Sequence, residues 1–442
     1  MHSKNEWKQR SVYQLLTDRF GTSDGSKPRC DLGRRVYCGG TYQGIINHLD
    51  YIKGMGFDAI WISPHVDNFP NSYHGYHFRD WYKTNDHFGS KQDLKRFISE
   101  CHKRGIWVMA DVIFNHVGPT GDDFSKINPF NRREHYHDYC MITDYNNQPM
   151  VENCRFSGDI PDLKQENSWV ADELIKWIKW TIKEFDFDGL RVDTVKHVPK
   201  WFWDRYSNAV SPMFSIGEVF DGRVDYVADY QRHMDSIFNY PLYYAIKDAF
   251  CGKNLNSMKR WYYEYRKKFP DPTVLGTIAE NHDNPRMLSG DYCGGRVTRE
   301  NLKSALVMSI LFEGIPFIYY GGEQYFSGGN DPYDREPMWG HYNTRSDAYI
   351  AIKIANEIRK KHQLWNKDFV ERYISQEFFA FTRGNVVLVC ISNTNVGVTL
   401  YPRIWGDGTK VCDALNPSDC LVVRGGTLTV HMNGNPKIYV RA

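Results

Sequence analysis

Short apolar runs alternate with amphipathic helical stretches over the first four-fifths of the chain, and this alternation restricts the fold more than any other feature. Runs that are apolar along their whole length predict strands of a parallel sheet that is buried on both faces. There are eight such runs, at residues 12–16, 59–63, 106–113, 189–193, 215–219, 236–239, 275–279 and 316–320. Eight strands that alternate with helices predict a closed (β/α)₈ barrel of the TIM type, in the α/β class.

Two segments depart from this alternation. Residues 117–166 form a long irregular stretch after the third strand, rich in Asp, Asn, Pro and aromatic residues. Residues 368–442 contain short β-rich runs separated by turns, which predicts a C-terminal antiparallel β-sandwich. The barrel is therefore predicted to comprise residues 1–116 and 167–367.

The charge balance excludes partners that bind through a strong net electrostatic field of the whole protein. The chain has 55 Lys and Arg residues against 53 Asp and Glu residues, which is a formal net charge of +2. A nearly neutral chain offers no whole-protein field for nucleic acid or an anionic membrane. The longest apolar stretch, residues 305–320, is interrupted by Glu313, Gly314 and Pro316, so we expect no membrane span. We expect a substrate that is neutral or bound by local contacts.

The ten cysteines bear on the cellular compartment. None has the C-x-x-C spacing of a zinc or redox site. Disulfides that close short loops in an oxidising compartment explain the close pairs Cys30/Cys38, Cys140/Cys154 and Cys412/Cys420. Cys251 and Cys293 can pair or stay free, and Cys101 and Cys390 are predicted to be buried thiols. The chain begins without the apolar segment of a signal peptide, which fits either a cytosolic protein or a secreted one whose signal has been removed. Because the close cysteine pairs indicate disulfides, we expect the secreted protein.

Charged and polar side chains follow the predicted strands at the edge where a barrel carries its active site. An acid at one strand end is ordinary, whereas several strand ends that converge on one mouth indicate a shared active site. The residues follow strand three (Asp111, Asn115, His116), strand four (Arg191, Asp193, Lys196, His197), strand five (Glu218) and strand seven (Asn281, His282, Asp283).

Four motifs that contain these residues resemble the signature regions of the α-amylase family, glycoside hydrolase family 13, in order and in spacing. The motifs are DVIFNH at 111–116, GLRVDTVKH at 189–197, GEVF at 217–220 and IAENHD at 278–283. Flanking runs are similar to those of the secreted fungal members, and the resemblance covers nearly the whole chain. It implies an endo-acting, retaining hydrolase of α-1,4-glucosidic bonds in starch, glycogen and maltooligosaccharides.

The resemblance also implies the catalytic roles. Asp193 matches the nucleophile that forms a covalent glycosyl–enzyme, and Glu218 matches the general acid that later acts as base. Asp283 matches the third carboxylate, which binds sugar hydroxyls and helps to distort the ring. Arg191 lies two residues before Asp193 on the same strand, so its side chain is predicted to face the same way and to hold Asp193 ionised.

Further residues match sugar-binding positions of the family. Tyr76 matches the tyrosine that stacks on the sugar before the scissile bond. The other matching residues are His116 and His282 at the cleavage subsite, His74 as a contact to a sugar hydroxyl, Lys196 and His197 on the leaving-group side, and Asp331 and Arg335 toward the non-reducing end. The chain departs from the fungal pattern at His77, where tryptophan is usual, and at Arg155 and Phe156 near the cleft.

The irregular stretch at 117–166 resembles the family's inserted domain B, which implies a structural calcium ion at its junction with the barrel. Calcium takes six to eight oxygen ligands. The motifs place the ligands at the Asn115 side chain, Glu152, Asp162 and the main-chain carbonyl of His197.

Alternatives to an endo-acting hydrolase remain open at this stage. One is a hydrolase specific for maltooligosaccharides, or a transglycosylase, with the same chemistry. Another is a partner subunit that binds sugar without catalysis, which would lack the catalytic acids or carry a membrane span; this chain has all three acids. We expect a monomer with an α-glucan as its substrate and with no nucleic acid or membrane partner.

Overall fold

Eight parallel strands form a single central sheet in the computed structural model, which describes residues 1–442. The sheet order is β6-β5-β4-β3-β2-β1-β8-β7. The strands are β1 (Val12–Gln14), β2 (Ala59–Trp61), β3 (Trp107–Val112), β4 (Gly189–Val192), β5 (Ser215–Gly217), β6 (Ser236–Ile237), β7 (Gly276–Ile278) and β8 (Ile315–Tyr319). Every predicted strand is present, and nearly all of these residues are buried, as a sheet covered on both faces requires.

The sheet closes into a barrel between β6 and β7. Phe238 forms a parallel bridge with Gly276, and the Asn239 amide donates to the Gly276 carbonyl at 2.9 Å. A glycine is needed at 276, because a Cβ there would lie 2.6 Å from the Ile216 side chain and 2.8 Å from the Phe238 ring. The predicted (β/α)₈ barrel is confirmed.

Helices surround the barrel, and local capping explains where some of them begin. Ser90 accepts a hydrogen bond from the Asp93 amide at 3.1 Å, and Asp93 accepts one from the Ser90 amide at 2.9 Å, so the two form a capping box. None of the helices is both long and apolar enough to cross a membrane. The helices are α1 (Lys4–Trp7), α2 (Thr17–Phe20), α3 (Tyr42–Ile46), α4 (Leu49–Gly54), α5 (Lys91–Lys103), α6 (Gln148–Asn153), α7 (Ser168–Phe185), α8 (Lys200–Val210), α9 (Val224–Tyr230), α10 (Tyr240–Cys251), α11 (Ser257–Arg260), α12 (Gly290–Cys293), α13 (Arg299–Leu311) and α14 (Asp347–Lys361).

The stretch between β3 and α7 contains one α-helix, α6, two single-turn 3₁₀ helices at Phe124–Lys126 and Arg133–His135, and otherwise turns and isolated bridges. Its return to the barrel is paired with its start, because Asp162 forms an antiparallel bridge with His116. The Cys140–Cys154 disulfide closes the loop that carries α6. This stretch therefore lies at the C-terminal end of the barrel strands, directly beside the motif that follows β3.

The C-terminal region is a sandwich of two antiparallel sheets. The larger sheet has the order β14-β13-β16-β11-β10-β9, and β12 pairs with β15 in the smaller one. A separate hydrophobic core lies between them, with Val398 and Val430 of the small sheet packed in one cluster with Phe378 and Leu388 of the large one. The strands are β9 (Phe369–Ile374), β10 (Phe378–Arg383), β11 (Val387–Ser392), β12 (Asn395–Leu400), β13 (Lys410–Asp413), β14 (Asn416–Val422), β15 (Leu428–Asn433) and β16 (Lys437–Arg441).

The disulfides agree with the cysteine spacing and add one pair. The three close pairs, Cys30–Cys38, Cys140–Cys154 and Cys412–Cys420, are bonded as predicted. Cys251 at the end of α10 is bonded to Cys293 at the end of α12, a pairing that the sequence left open. Cys101 and Cys390 are buried free thiols, as predicted.

Candidate active site

One buried arginine joins three carboxyl groups at the C-terminal mouth of the barrel. Arg191 Nη1 donates to Asp111 Oδ1 at 3.0 Å and to Asp193 Oδ1 at 2.7 Å. Arg191 Nη2 donates to Glu218 Oε2. The two carboxyls predicted to act as nucleophile and acid are therefore held by neighbouring nitrogens of one planar guanidinium, which restricts their separation and orientation.

The strand register explains why these side chains meet. Asp111 lies opposite Arg191 in the β3–β4 pair, so both side chains point into the barrel mouth. The backbone hydrogen bonds between the strands continue past the ends of β4 and β5. The Asp193 amide donates to the Val112 carbonyl, and the Glu218 amide donates to the Val192 carbonyl. Immediately after Asp193 the backbone turns at Thr194, which has a left-handed conformation with φ 49°.

A second set of hydrogen bonds fixes Tyr76 and His282. Gln14 Nε2 lies 2.8 Å from His282 Nδ1, and His282 Nε2 lies 2.7 Å from the Tyr76 hydroxyl. The hydroxyl donates to Asp111 Oδ2 at 2.6 Å, and Trp61 Nε1 donates to the same oxygen at 3.0 Å. Because Gln14 donates to Nδ1, His282 carries its proton on Nε2. Burial lowers the pKa of His282 to about 3, so the ring is neutral.

Asp283 and Arg335 lie at one end of this network. Arg335 Nη2 lies 3.5 Å from Asp283 Oδ1, and Arg335 Nε donates to the His282 carbonyl at 3.0 Å. Burial opposes ionisation of Asp283, but the positive charges of Arg335 and Arg191 lower the pKa of this carboxyl below its usual range. Asp283 is therefore suited to accept hydrogen bonds as a carboxylate.

The acidic groups differ in their affinity for protons. Burial, together with the nearby Asp193 and Asp283 carboxylates, raises the pKa of Glu218 to about 8 against the opposing effect of Arg191. Burial also raises the pKa of Asp193, while its bond to Arg191 opposes that shift. Glu218 is thus the carboxyl in the cleft that most readily keeps a proton at neutral pH, as a general acid must.

An open cleft of about 430 Å³ lies above these residues. It brings together most of the predicted catalytic and sugar-binding side chains and several that the sequence did not mark. The lining residues are Arg35, His74, Tyr76, His77, His116, Phe156, Asp193, Thr194, Glu218, Phe220, His282, Asp283, Asp331 and Arg335.

Two predicted sugar-binding residues lie beside the cleft and do not line it. Lys196 Nζ donates to the Phe220 carbonyl at 2.7 Å. His197 Nδ1 donates to the Val151 carbonyl in α6 at 3.2 Å, so its imidazole packs against the inserted stretch. Burial lowers the pKa of His197 to about 3.

Sequence reasoning missed two groups of functional residues. Trp61 and Gln14 orient Asp111 and His282, but they sit in short apolar strands and look like ordinary core residues. Arg35 and Phe220 reach the cleft from loops. No local pattern marks them, because only the tertiary fold decides which loop faces the mouth.

Oxygen atoms converge where the inserted stretch joins the barrel. The Asn115 side-chain oxygen lies 3.0 Å from Asp162 Oδ1 and 3.1 Å from the His197 carbonyl oxygen. Three oxygens this close repel one another unless a cation lies among them or the amide turns so that its nitrogen donates to both neighbours. The donor set suits a hard divalent cation.

The surroundings of this oxygen cluster are polar as well. Asp162 Oδ2 lies 2.7 Å from His137 Nδ1, which leaves Oδ1 directed at Asn115. Glu152 accepts a hydrogen bond from Gln148 Nε2 at 2.9 Å, and the same nitrogen donates to the Lys196 carbonyl at 3.0 Å. Glu152 is therefore held beside the loop that carries His197 and makes no hydrogen bond to Asn115 or Asp162.

Known proteins resemble the chain over nearly its whole length. The family model described as alpha amylase, catalytic domain, matches residues 14–367. Alpha-amylase 2 of Schwanniomyces occidentalis is 38% identical over 469 residues, covering 99% of this chain and 90% of that protein. The alpha-amylase of Saccharomycopsis fibuligera is 37% identical over 468 residues, covering 99% of this chain and 92% of that protein. The structure of an alpha-amylase from Malbranchea cinnamomea has a TM-score of 0.93 at 36% identity, covering 100% of this chain and 98% of that one.

Proposed function

This chain belongs to the α-amylase family of glycoside hydrolases, and from that premise we propose that it cleaves internal α-1,4-glucosidic bonds of starch, glycogen and maltooligosaccharides with retention of configuration. The observation that carries the proposal is the pairing of Asp193 and Glu218 on one guanidinium at the floor of an open cleft. Carboxyls joined in this way favour the short separation, about 5–5.5 Å, that retaining glycosidases use. An open cleft suits attack within a long chain.

In the first half of the proposed reaction, Asp193 attacks the anomeric carbon. Arg191 holds Oδ1 of this carboxylate, which leaves Oδ2 as the attacking atom. Glu218 Oε2 is also held by Arg191, so Oε1 carries the proton and donates it to the glycosidic oxygen as that bond breaks. The products of this step are a covalent glycosyl–enzyme and a released sugar with a new hydroxyl.

In the second half, the ionised Glu218 accepts a proton from water, and the water oxygen attacks the anomeric carbon and displaces Asp193. Two displacements on the same carbon restore the original α configuration. Asp283 as a carboxylate accepts hydrogen bonds from sugar hydroxyls, and His282 and His116 are neutral partners for the same sugar. The Tyr76 ring, whose hydroxyl is tied to Asp111, presents a fixed face for stacking.

We expect proton NMR of freshly formed products from a soluble α-1,4-glucan to show the α-anomer at the new reducing ends before mutarotation. The Glu218→Gln variant is the matched control and should release no products. Early products of mixed, intermediate length would establish internal cleavage. A β-anomer, or release of a single product from chain ends only, would contradict the proposal.

The pH dependence of the activity should reflect the ionisation of Glu218. The general acid must be protonated, so activity is present below the pKa of Glu218, about 8, and is lost as the pH rises through it. We expect kcat/KM on a maltooligosaccharide to fall about tenfold per pH unit above that value. His77→Gln is the control, because burial lowers the pKa of His77 to about 4 and its removal should leave the alkaline limb unchanged. A rate that stays constant up to pH 10 would refute this assignment of the acid.

A second candidate activity, transfer of the glycosyl group to another sugar, is favoured by Phe156. This residue is 36% exposed and lines the cleft, and its ring lies 4.9 Å from the His116 ring. An exposed aromatic face can stack an acceptor sugar in place of water. Products longer than the starting maltooligosaccharide would support this activity.

We also propose that the inserted stretch binds a structural Ca²⁺ ion through Asn115, Asp162 and the His197 carbonyl, with Glu152 as the fourth protein ligand. The convergence of three oxygens at 3.0–3.1 Å supports the proposal, because calcium prefers carboxylate, amide and carbonyl oxygens. Such an ion would join the inserted stretch to the loop after β4. Its expected contribution is to stability, since none of its ligands reaches Asp193 or Glu218.

We further propose that the protein is secreted and acts as a monomer. Four disulfides support an oxidising compartment. The cleft of one chain already holds the three proposed catalytic carboxyls Asp193, Glu218 and Asp283, so the proposed reaction needs no second copy.

A further inference from the structure

The two most exposed tryptophans of the chain lie on neighbouring barrel helices, outside the catalytic cleft. Trp169 and Trp201 are each 45% exposed, whereas the other tryptophans are buried or half-buried. Each is the second residue of its helix, Trp169 in α7 and Trp201 in α8, and neither lines the cleft. A single exposed apolar residue is ordinary, but two large rings on one surface indicate an interaction site.

An ion pair between the two helices fixes their relative placement. Arg205 of α8 donates to the carboxylate of Asp172 in α7. Trp169 lies three residues before Asp172, and Trp201 lies four residues before Arg205. Residues three or four apart share one face of a helix, so each tryptophan lies about one turn before its member of the ion pair. Because both helices follow a barrel strand and run in the same direction, the two tryptophans lie at the same level on one outer surface.

The Trp169 ring is held in place by its neighbours. One face of the indole stacks on the buried His135 ring, with centroids 4.5 Å apart and an angle of 14° between the planes. The Phe130 ring meets it edge-on at 6.1 Å, and the Trp169 amide donates to the Asn167 side chain at 3.0 Å. A flat surface that is fixed in this way loses little entropy when a ligand stacks on its open face.

The size and the chemistry of this surface favour a sugar chain over a protein partner. A stable protein interface buries about 800 Å² on each partner. Two indoles that are about half exposed offer only about 200 Å² of aromatic surface, which suits a few sugar rings. The Asp172 and Arg205 side chains beside them are exposed and offer a charged acceptor and charged donors for hydroxyl groups.

We propose that Trp169 and Trp201, here called the tryptophan pair, form a second α-glucan-binding site on the outer surface of the barrel. The inference rests on the proposed function, because it takes the polymeric substrate as the ligand. Both helices begin at the end of the barrel that carries the cleft, so a long chain bound to the pair is held near the catalytic residues. This second contact raises the local substrate concentration, whereas a maltooligosaccharide that fills only the cleft gains nothing from it.

The first test is sedimentation with insoluble starch granules. It uses the Glu218→Gln protein, which leaves the granules intact, and adds Trp201→Ala alone or together with Trp169→Ala. We expect the double substitution to weaken granule binding about tenfold and Trp201→Ala alone to weaken it about threefold. Tyr401→Ala is the matched control, because Tyr401 is an exposed aromatic residue of the C-terminal region, and it should bind like the parent protein. Equal binding by all the variants, or an equal loss in the control, would overturn the proposal.

Kinetics in the otherwise wild-type protein separate the outer site from the cleft. Trp201→Ala should raise KM for soluble starch about threefold and leave kcat/KM for maltotetraose unchanged. Trp201 is the residue to change singly, because removal of Trp169 also uncovers His135. A loss of activity on maltotetraose would overturn the proposal, since it would show that the substitution acts on the cleft.

Analytical ultracentrifugation tests the alternative occupant, which is a second copy of this chain. We expect wild type and Trp201→Ala to sediment alike. Self-association of the wild type that Trp201→Ala abolishes would overturn the glucan site in favour of a dimer contact.

Failure of the proposed function would be recognised separately, as wild-type protein that cleaves no glucan. Granule binding needs no catalysis, so the comparison of wild type with the double Trp169→Ala, Trp201→Ala variant still decides the outer site. About tenfold weaker binding by the variant would support the site, and equal binding would overturn it.

Discussion

Asp193→Asn should reduce the hydrolysis of soluble starch by at least about a thousandfold while the fold stays intact. The amide keeps the size of the carboxylate and still meets Arg191, but it cannot form the glycosyl–enzyme bond. Initial rates of reducing-end formation measure the loss, and circular dichroism with a melting curve measures the fold. A rate near that of wild type would remove Asp193 from the role of nucleophile.

Glu218→Gln should cause a comparable loss of activity and a distinctive change in stability. The pKa of Glu218 is about 8 in the folded protein, above the ordinary value of 4.5, so between these pH values the unfolded state ionises more readily than the folded state. Removing this carboxyl should raise the unfolding temperature at pH 7 and leave it unchanged at pH 4. Glu357→Gln, at an exposed position on α14, is the control and should change neither activity nor stability. A lower unfolding temperature for Glu218→Gln at pH 7 would contradict the environment assigned to this acid.

Removal of calcium should lower the unfolding temperature by several degrees. An ion that binds only the folded state stabilises it by about 4 kcal/mol when its free concentration is a thousand times its dissociation constant. The measurement is a melting curve in calcium and in excess chelator. The proposed ligands lie where the inserted stretch meets the loop after β4, so removal of the ion should also increase proteolysis within residues 117–166.

Matched variants tie this effect to the predicted ligands. In calcium, the Asp162→Asn variant should unfold at a lower temperature than the wild type, and chelator should change that temperature little. The reason is that the Asp162 carboxylate is one of the converging oxygen donors. Asp159→Asn, at an exposed position in the same stretch, should behave like wild type. Identical melting curves for the wild type with and without chelator would argue against the site.

The sequence alone determined the barrel and the active-site motifs. Apolar strand runs and helical stretches are local patterns, and the rule that active sites lie at the carboxyl ends of parallel strands converts them into a spatial prediction. The candidate acids were found in this way: Asp193 and Glu218 lie directly after β4 and β5, and Asp283 lies five residues after the end of β7. The C-terminal sandwich was predicted as a class, but an exposed strand such as β12 lacks a continuous apolar run and was not identified individually.

Only the tertiary structure decided contacts between distant segments. Arg191 meets Asp111 and Glu218 because neighbouring strands share one register, and Arg35 meets Asp331 although 296 positions separate them. The Cys251–Cys293 bond likewise depends on how α10 and α12 pack together. Periodicity reports which face of an element is buried, whereas the pairing of two side chains depends on the relative placement of whole elements, and no local pattern in the chain encodes that placement.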